Sequence, residues 1–238
     1  MKPYALKRLL PIYLITLIVT ILLAFLGSRA VSVYCNYTPV SMDRVVIIDA
    51  GHGGFDGGAT SCSGVTESQL NLEISLRLND LLHLLGIHTV MIRTSDDSVH
   101  TEGETIATKK VSDLKNRVKL VNDTHKCVLV SIHQNYFHDG IYNGAQVFYA
   151  STPESRTLAE EIQMSLRTYL DPSNSRKTKL AKDIYLMENI CTPGVLVECG
   201  FLSNPDEDKL LQEPIYQKKL ASVIAVSINQ YICKNPIA

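Results

Sequence analysis

Residues 45–58 read VVIIDAGHGGFDGG, and this stretch decides the fold. Residues 45–49 are a short run of mostly β-branched apolar residues, a pattern that is typical of a buried strand. Residues 50–58 are mainly glycine and alanine, and so many glycines cannot form a stable helix. We therefore expect the strand to end in a loop whose backbone can approach a ligand closely.

Strand-like and helix-like patterns alternate along the rest of the chain. Further strands are predicted at residues 88–93, 127–132, 144–150 and 195–197. Helices are predicted between Thr66 and Gly86 and at residues 113–122, 155–170 and 215–232. This alternation predicts an α/β fold, in which a twisted, mostly parallel sheet of about six strands is flanked by helices on both faces.

Length and composition indicate one globular domain behind an N-terminal segment. The chain has 238 residues, of which 45% are hydrophobic and 20% are charged. We assign residues 1–30 to a membrane anchor or signal segment, residues 31–43 to a linker and residues 44–235 to the folded domain. The net charge of -1, without a long basic run, argues against nucleic acid as the partner.

The N-terminal segment has the pattern of an export signal. Lys2, Lys7 and Arg8 precede an uncharged apolar run at residues 9–28, close to the roughly 20 residues that a helix needs to cross a bilayer. The positive flank should stay in the cytoplasm, so the rest of the chain should be exported. A cleaved signal peptide and an uncleaved anchor both match this pattern. The length of the run and the charge within residues 28–30 favour an anchor formed by one hydrophobic helix.

Six cysteines follow this segment, and an exported chain could pair them in disulfides. Their spacing contains no CxxC motif, and it predicts neither a zinc finger nor a specific disulfide. Cys127 and Cys199 lie in apolar, strand-like runs, so we expect both to be small core residues.

Two histidines and a glutamate stand where predicted strands end. His52, His133 and Glu198 each follow such a strand directly or closely. In open α/β sheets, ligands bind beyond the carboxyl ends of the strands. Glu67 is a fourth candidate, because it begins the first predicted helix and helix N-termini lie at the same edge of such a sheet.

These four residues match the set of side chains that a catalytic zinc site requires. Such a site uses three protein ligands and keeps one position open, and two histidines with a glutamate are a standard set. Zinc lowers the pKa of water so that it can attack a carbonyl near neutral pH, and a carboxylate off the metal must take up the proton. Structural interpretations stay open: a histidine at a strand end is commonly a hydrogen-bonded structural residue, and Glu67 could simply stabilise the helix N-terminus.

Seven segments resemble, in order and spacing, the zinc-dependent N-acetylmuramoyl-L-alanine amidases of bacterial cell walls, of the Amidase_3 type. They are DAGHGGFDGGAT, TESQLNLEISLRLNDLL, VMIRTSD, LKNRVKLVN, LVSIHQN, GAQVFYA and VLVECGFLSNPDEDKLL. The resemblance covers residues 44–232, and the combination of GHGGxDxGA, SIHxN and VExGFLSNPxE is highly specific.

The resemblance implies a role for each of the four residues. His52, Glu67 and His133 match the zinc ligands of the family, and Glu198 matches its catalytic glutamate. The implied reaction is hydrolysis of the amide bond between N-acetylmuramic acid and L-alanine of peptidoglycan, with Zn²⁺ as the cofactor. One departure lies near these residues: Tyr136 replaces an alanine that is frequent in the family, and it could narrow the substrate groove.

Within the family, the short layout and the phrase LAKDIYLMENICTPGVLVECGFLSNP are most similar to the sporulation and germination branch. That branch acts in spore cortex maturation, on the way to muramic-δ-lactam. The implied location is the extracytoplasmic side of the membrane, between the spore membranes. Two alternatives remain: a vegetative cell-wall amidase, and a peptidoglycan-binding module with a vestigial metal site.

The sequence also suggests that the activity of the enzyme needs to be regulated. It contains no repeat that would bind the wall, and an unregulated wall hydrolase would endanger the cell that exports it. We therefore expect an exported activator protein that raises zinc affinity by ordering the glycine-rich loop at residues 53–66, since zinc binding includes the cost of fixing its ligands.

Overall fold

The computed structural model describes residues 15–23 and 44–235. Residues 15–23 are helical, and the remainder of the predicted anchor at 1–30 and the whole linker at 31–43 lie outside the described residues. Within the described parts of the chain, no helix is both long enough and apolar enough to cross a membrane.

Six strands and six α-helices make up the described domain. The strands are β1 (Val45–Ala50), β2 (Thr89–Met91), β3 (Cys127–Asn135), β4 (Gln146–Tyr149), β5 (Lys179–Leu180) and β6 (Gly194–Phe201). The helices are α1 (Glu67–Leu84), α2 (Ile106–Asp123), α3 (Ser155–Ser165), α4 (Tyr185–Asn189), α5 (Pro205–Gln212) and α6 (Pro214–Lys234), and one π-helical turn (Leu166–Leu170) extends α3.

The strands form one sheet in the order β2-β1-β3-β6-β4-β5. Strands β1, β2, β3 and β6 are parallel, and β4 runs antiparallel to β6. The prediction of a mostly parallel α/β sheet is therefore confirmed. Because β1, β3 and β6 are parallel neighbours, their carboxyl ends meet at one edge of the sheet.

Helices cover both faces of the sheet, as predicted. Successive strand residues point to opposite faces, so Ile48 and Val130 belong to the core beneath α1, α3 and α6. Ile47 and Leu129 belong to the core beneath α2 and α4. Burial of apolar side chains on both faces explains why the strands read as continuous apolar runs.

Several predicted boundaries were wrong. The helix predicted at residues 113–122 begins at Ile106, because Thr105 and Thr108 form a reciprocal capping box ahead of the apolar part. The strand predicted at 88–93 is only three residues long. Both short helices α4 and α5 were missed, although Asn204 caps α5 and a proline follows it, which is a helix-start pattern.

The predicted core positions of two cysteines are confirmed, since Cys127 and Cys199 are both buried. The cysteines that the structure describes are free thiols.

Arg117 fastens helix α2 to the end of β1. Its buried guanidinium donates to Asp49 at the end of the strand and, at 2.6 Å, to Asp113 one turn earlier on the helix. Burial opposes ionisation of Asp49, but Arg117 outweighs it and holds the pKa of that carboxyl below its ordinary value. The ion pair is therefore kept charged inside the fold.

We expect Arg117→Ala to lower the free energy of unfolding by about 3–5 kcal/mol, because it leaves the buried Asp49 carboxylate without its cation. Urea unfolding followed by circular dichroism measures this change. The matched control is Arg156→Ala, which removes a solvent-exposed ion pair with Glu160 and should leave the free energy of unfolding nearly unchanged. Equal losses in the two variants would contradict this account of the network.

Candidate metal centre

Two arginines hold the backbone where β1 ends. Arg93 donates to the carbonyl oxygens of Ala50 at 2.7 Å and Gly51 at 3.0 Å, and Arg117 donates to that of His52 at 2.8 Å. His52 adopts a left-handed backbone conformation, with φ of 61°. An L-residue there is uncommon and must be stabilised by its surroundings, and the arginines supply that restraint.

Glu67 is fixed at the first residue of α1 with its carboxylate buried. Its Oε2 accepts a hydrogen bond from the Ala59 amide at 3.0 Å. Its Oε1 accepts hydrogen bonds from the backbone N–H of Gln134 at 3.2 Å and from Asn71 Nδ2 at 3.3 Å. These three donors orient both oxygens, so the carboxylate position does not depend on a ligand.

The structure brings His52, Glu67 and His133 together. His52 Nε2 lies 3.2 Å from Glu67 Oε2, and His133 Nδ1 lies 2.9 Å from Glu67 Oε1. One ligand atom from each residue lies within 4.8 Å of the others, a grouping that could hold a metal ion. Burial opposes ionisation of Glu67, but hydrogen bonds from His133 and His52 outweigh it and keep its pKa below the ordinary value.

Asp56 contributes to the site and was missed in the sequence analysis. Its Oδ2 lies 2.9 Å from His52 Nδ1 and 3.0 Å from Lys110 Nζ. Burial would lower the pKa of His52, but hydrogen bonds to Asp56 and Glu67 outweigh it and raise that pKa to about 9. In a metal-binding histidine, the ring nitrogen that does not bind the metal is commonly hydrogen-bonded to a carboxylate, which orients the ring. The FDG sequence within the glycine-rich loop was the available signal.

Glu198 stands beside His133 without belonging to the group of three. The two residues are register partners on the parallel strands β3 and β6. Both strands continue past these residues, to Asn135 and Phe201, so the predicted strand ends were placed too early. Among the described residues, none hydrogen-bonds to the buried Oε2 of Glu198. Burial raises the pKa of Glu198 to about 7.

A cavity of about 240 Å³ opens over these residues, on the sheet face that carries α2 and α4. Lys110, Arg117, Ile184 and Tyr185 line it together with His52, His133 and Glu198. Asp49, Asp56 and Asp113 line it as well and form ion pairs with Lys110 and Arg117, so both cations in the wall are paired.

The residues fit a zinc ion by their chemistry. Two imidazoles and one carboxylate form a standard three-ligand set with a position left for water or substrate. The Glu67 carboxylate lies between the two imidazoles, with one of its oxygens facing a ring nitrogen of each. The partnerless oxygen of Glu198 lies next to this group and is suited to proton transfer.

Comparison with known proteins decides the family. The Amidase_3 family model, described as N-acetylmuramoyl-L-alanine amidase, matches residues 46–230. The chain belongs to this family. It is thus an N-acetylmuramoyl-L-alanine amidase, which confirms the resemblance and the prediction of an enzyme.

Individual relatives of this amidase agree with the family. The germination-specific N-acetylmuramoyl-L-alanine amidase of Bacillus subtilis (strain 168) is 38% identical over 89% of this chain and 90% of that protein. A structure of the CwlD amidase from Clostridioides difficile in complex with the GerS lipoprotein has a TM-score of 0.78 and 38% identity, and covers 81% of this chain and 100% of that one. LytC of Bacillus subtilis is 30% identical over 76% of this chain but only 34% of its own length.

Gly51 is required in the amidase because the His133 ring passes directly over it. A Cβ atom at residue 51 would lie 2.2 Å from His133 Nε2, far inside van der Waals contact. We expect Gly51→Ala to displace the ring and to abolish binding of one metal ion per chain, measured by elemental analysis after incubation with zinc and desalting.

The matched control is Gly57→Ala in the same loop, where the added Cβ would lie 3.5 Å from Thr66 Cγ2, an ordinary contact. That variant should retain the metal. Full metal content in Gly51→Ala would show that His133 does not need its observed position to bind.

Proposed function

We propose that this amidase is zinc-dependent, with His52, Glu67 and His133 as the ligands and Glu198 as the proton-transfer residue. The observation that carries the proposal is the juxtaposition of three ligand atoms within 4.8 Å and a buried glutamate oxygen without a partner beside them. The substrate is the amide bond between N-acetylmuramic acid and L-alanine of peptidoglycan.

Bound zinc supplies Lewis acidity, which polarises an amide carbonyl and lowers the pKa of water. Glu198 accepts the proton of the attacking water on its free Oε2 and delivers it to the amide nitrogen that leaves. A carboxyl with a pKa of about 7 can both accept and donate a proton near neutral pH. Asp56 orients His52, and the two arginines keep its backbone in place while the reaction proceeds.

Glu198→Ala should keep one zinc per chain and lose activity by about 100- to 10,000-fold, because it removes the proton acceptor and no ligand. Mass spectrometry of muropeptides measures the loss, and elemental analysis measures the zinc. His133→Ala should lose the zinc as well, and the exposed Glu102→Ala should change neither quantity. Normal peptide release by Glu198→Ala would refute the assignment.

Zinc binding should release a proton below about pH 9. His52 has a raised pKa of about 9 because Asp56 and Glu67 stabilise its charged form, and zinc binds only the neutral ring. Apparent zinc affinity should therefore rise with pH up to about 9 and level off above it. Isothermal titration calorimetry in two buffers of different ionisation enthalpy counts the protons released.

Asp56→Asn provides the control for this proton count. It removes the charge that raises the pKa of His52, so fewer protons should leave at pH 8. Identical proton release in the original chain and in this variant would contradict the role of Asp56.

We also propose that the amidase acts on spore cortex, on the way to muramic-δ-lactam. The support is its similarity to a protein named as germination-specific and to the CwlD amidase. With zinc present, the full chain should release peptides from purified cortex faster than from vegetative wall. Faster release from vegetative wall would favour the alternative of a vegetative cell-wall amidase.

We further propose that the apolar N-terminal run exports the chain and anchors it on the extracytoplasmic side. The run at residues 9–28 and its positive flank support this. Cell fractionation tests it: the full-length chain should stay in the membrane pellet after a high-salt wash and leave it in detergent. A shortened chain in the soluble fraction would instead support a cleaved signal peptide.

An exported activator is the last part of the proposal. The related CwlD structure is a complex with a lipoprotein, and the loop at residues 53–66 connects two of the proposed ligands here. Hydrogen bonds such as Cys62 N to Leu202 O at 3.1 Å tie the loop to the segment after β6, where a partner could tighten it. Tight zinc binding and full activity of the chain alone would show that no activator is needed.

A further inference from the structure

The loop between β3 and β4 presents an exposed apolar surface beside the proposed centre. Its large apolar side chains are between 40% and 72% exposed: Tyr136, Phe137, Ile141 and Tyr142. We call these four residues the platform. Contiguous exposed apolar side chains on a folded domain mark a binding surface more often than isolated ones do. The cavity over the proposed ligands is lined by other segments, so the platform is a separate feature.

The aromatic rings near the platform form a fixed array. Phe137 and Tyr142 meet edge to face with ring centroids 4.8 Å apart. Tyr142 lies 6.1 Å from the buried ring of Phe201, and the Arg176 guanidinium carbon sits 4.4 Å from the centroid of that same ring. Such stacking restrains both exposed rings, so they lose little freedom when a ligand binds.

The backbone of the loop is also restrained. The Phe137 amide donates to Ser203 Oγ at 3.0 Å, and Asn204 Nδ2 donates to the Tyr142 carbonyl at 3.2 Å. Arg176 Nε donates to the Asn143 carbonyl at 2.6 Å. These bonds tie both ends of the loop to the segments that follow β6 and precede β5.

The position of the platform relates it to the reaction. Tyr136 is the third residue after His133, and Phe201 is the third residue after Glu198. Three extended residues span at most about 11 Å, which is within reach of one or two sugar rings. A polymer whose reacting bond lies at the metal centre can therefore reach this loop.

We propose that the platform binds sugar rings of the glycan strand that carries the reacting muramic acid. Sugar rings place C–H groups on their faces and hydroxyls at their edges, so they pack on exposed aromatic rings while the hydroxyls stay in water. A protein partner is the weaker occupant, because a stable protein interface needs about 20–30 residues on each side and the platform offers four. This inference rests on the proposed function, since it assumes that the glycan is part of the substrate.

Binding to peptide-free glycan tests the platform independently of catalysis. The probe is a soluble strand of alternating N-acetylglucosamine and N-acetylmuramic acid, added to the full chain carrying Glu198→Ala. We expect Phe137→Ala and Tyr142→Ala each to weaken glycan binding by about three- to tenfold, the range of a single aromatic contact. Phe137→Leu should weaken it similarly, because leucine keeps apolar area and loses the flat ring face.

The matched control is Tyr169→Ala, which removes an exposed tyrosine that belongs to the π-helical turn and not to the platform. That variant should bind glycan as the parent does. Unchanged binding in both platform variants would overturn the inference, and so would an equal loss in Tyr169→Ala. Retained glycan binding together with lost capture of a co-exported protein would assign the platform to a protein partner and also overturn it.

Failure of the platform proposal can be distinguished from failure of the proposed function. If the chain with Glu198 intact releases no peptide but its glycan binding still depends on Phe137 and Tyr142, the reaction assignment fails and the platform stands. If peptide release from a small soluble muramyl peptide is normal in Phe137→Ala and glycan binding is unchanged, the reaction stands and the platform fails.

Discussion

The carbonyl oxygens of Ala50, Gly51 and His52 are the point on which the structure of the centre depends. Parallel strands end at this edge of the sheet, and the chain must turn there through a left-handed residue without a strand partner. Arg93 and Arg117 bind all three carbonyl groups, so the turn keeps its backbone hydrogen bonds inside the protein. Helix α2, which carries Arg117, therefore positions a histidine that lies more than sixty residues earlier in the chain.

Charge balance follows from that arrangement. Glu67 is a buried carboxylate, yet its three hydrogen-bond donors and two neighbouring imidazoles stabilise its charge. Glu198 has no such donors on Oε2, and its pKa rises. Glu67 and Glu198 therefore differ in protonation. Environments that shift the pKa values of two carboxyl groups in opposite directions suit one of them to bind a metal and the other to transfer protons.

Much of this arrangement could be predicted from sequence, for identifiable reasons. The run at residues 45–49 and the glycines after it fix a strand and a loop, and parallel strands with helical crossovers bring His52, His133 and Glu198 to one edge. Asp56 lies only four residues after its partner His52, so the loop sequence offered a signal for it. Arg93 could not be predicted from spacing, because its partners are backbone carbonyls that only folding brings close. Helix α4 was missed because five residues are too few to show periodicity.

Zinc-edge X-ray absorption spectroscopy of the zinc-loaded chain tests the central claim most directly, since it reports the atoms that bind the metal. The account predicts two imidazole nitrogens at about 2.0–2.1 Å, a carboxylate oxygen at about 2.0–2.2 Å and no sulfur. His133→Ala and Gly51→Ala should each reduce the imidazole contribution. A sulfur scatterer at about 2.3 Å, or a spectrum of the original chain with fewer than two imidazoles, would contradict a centre built from His52, Glu67 and His133.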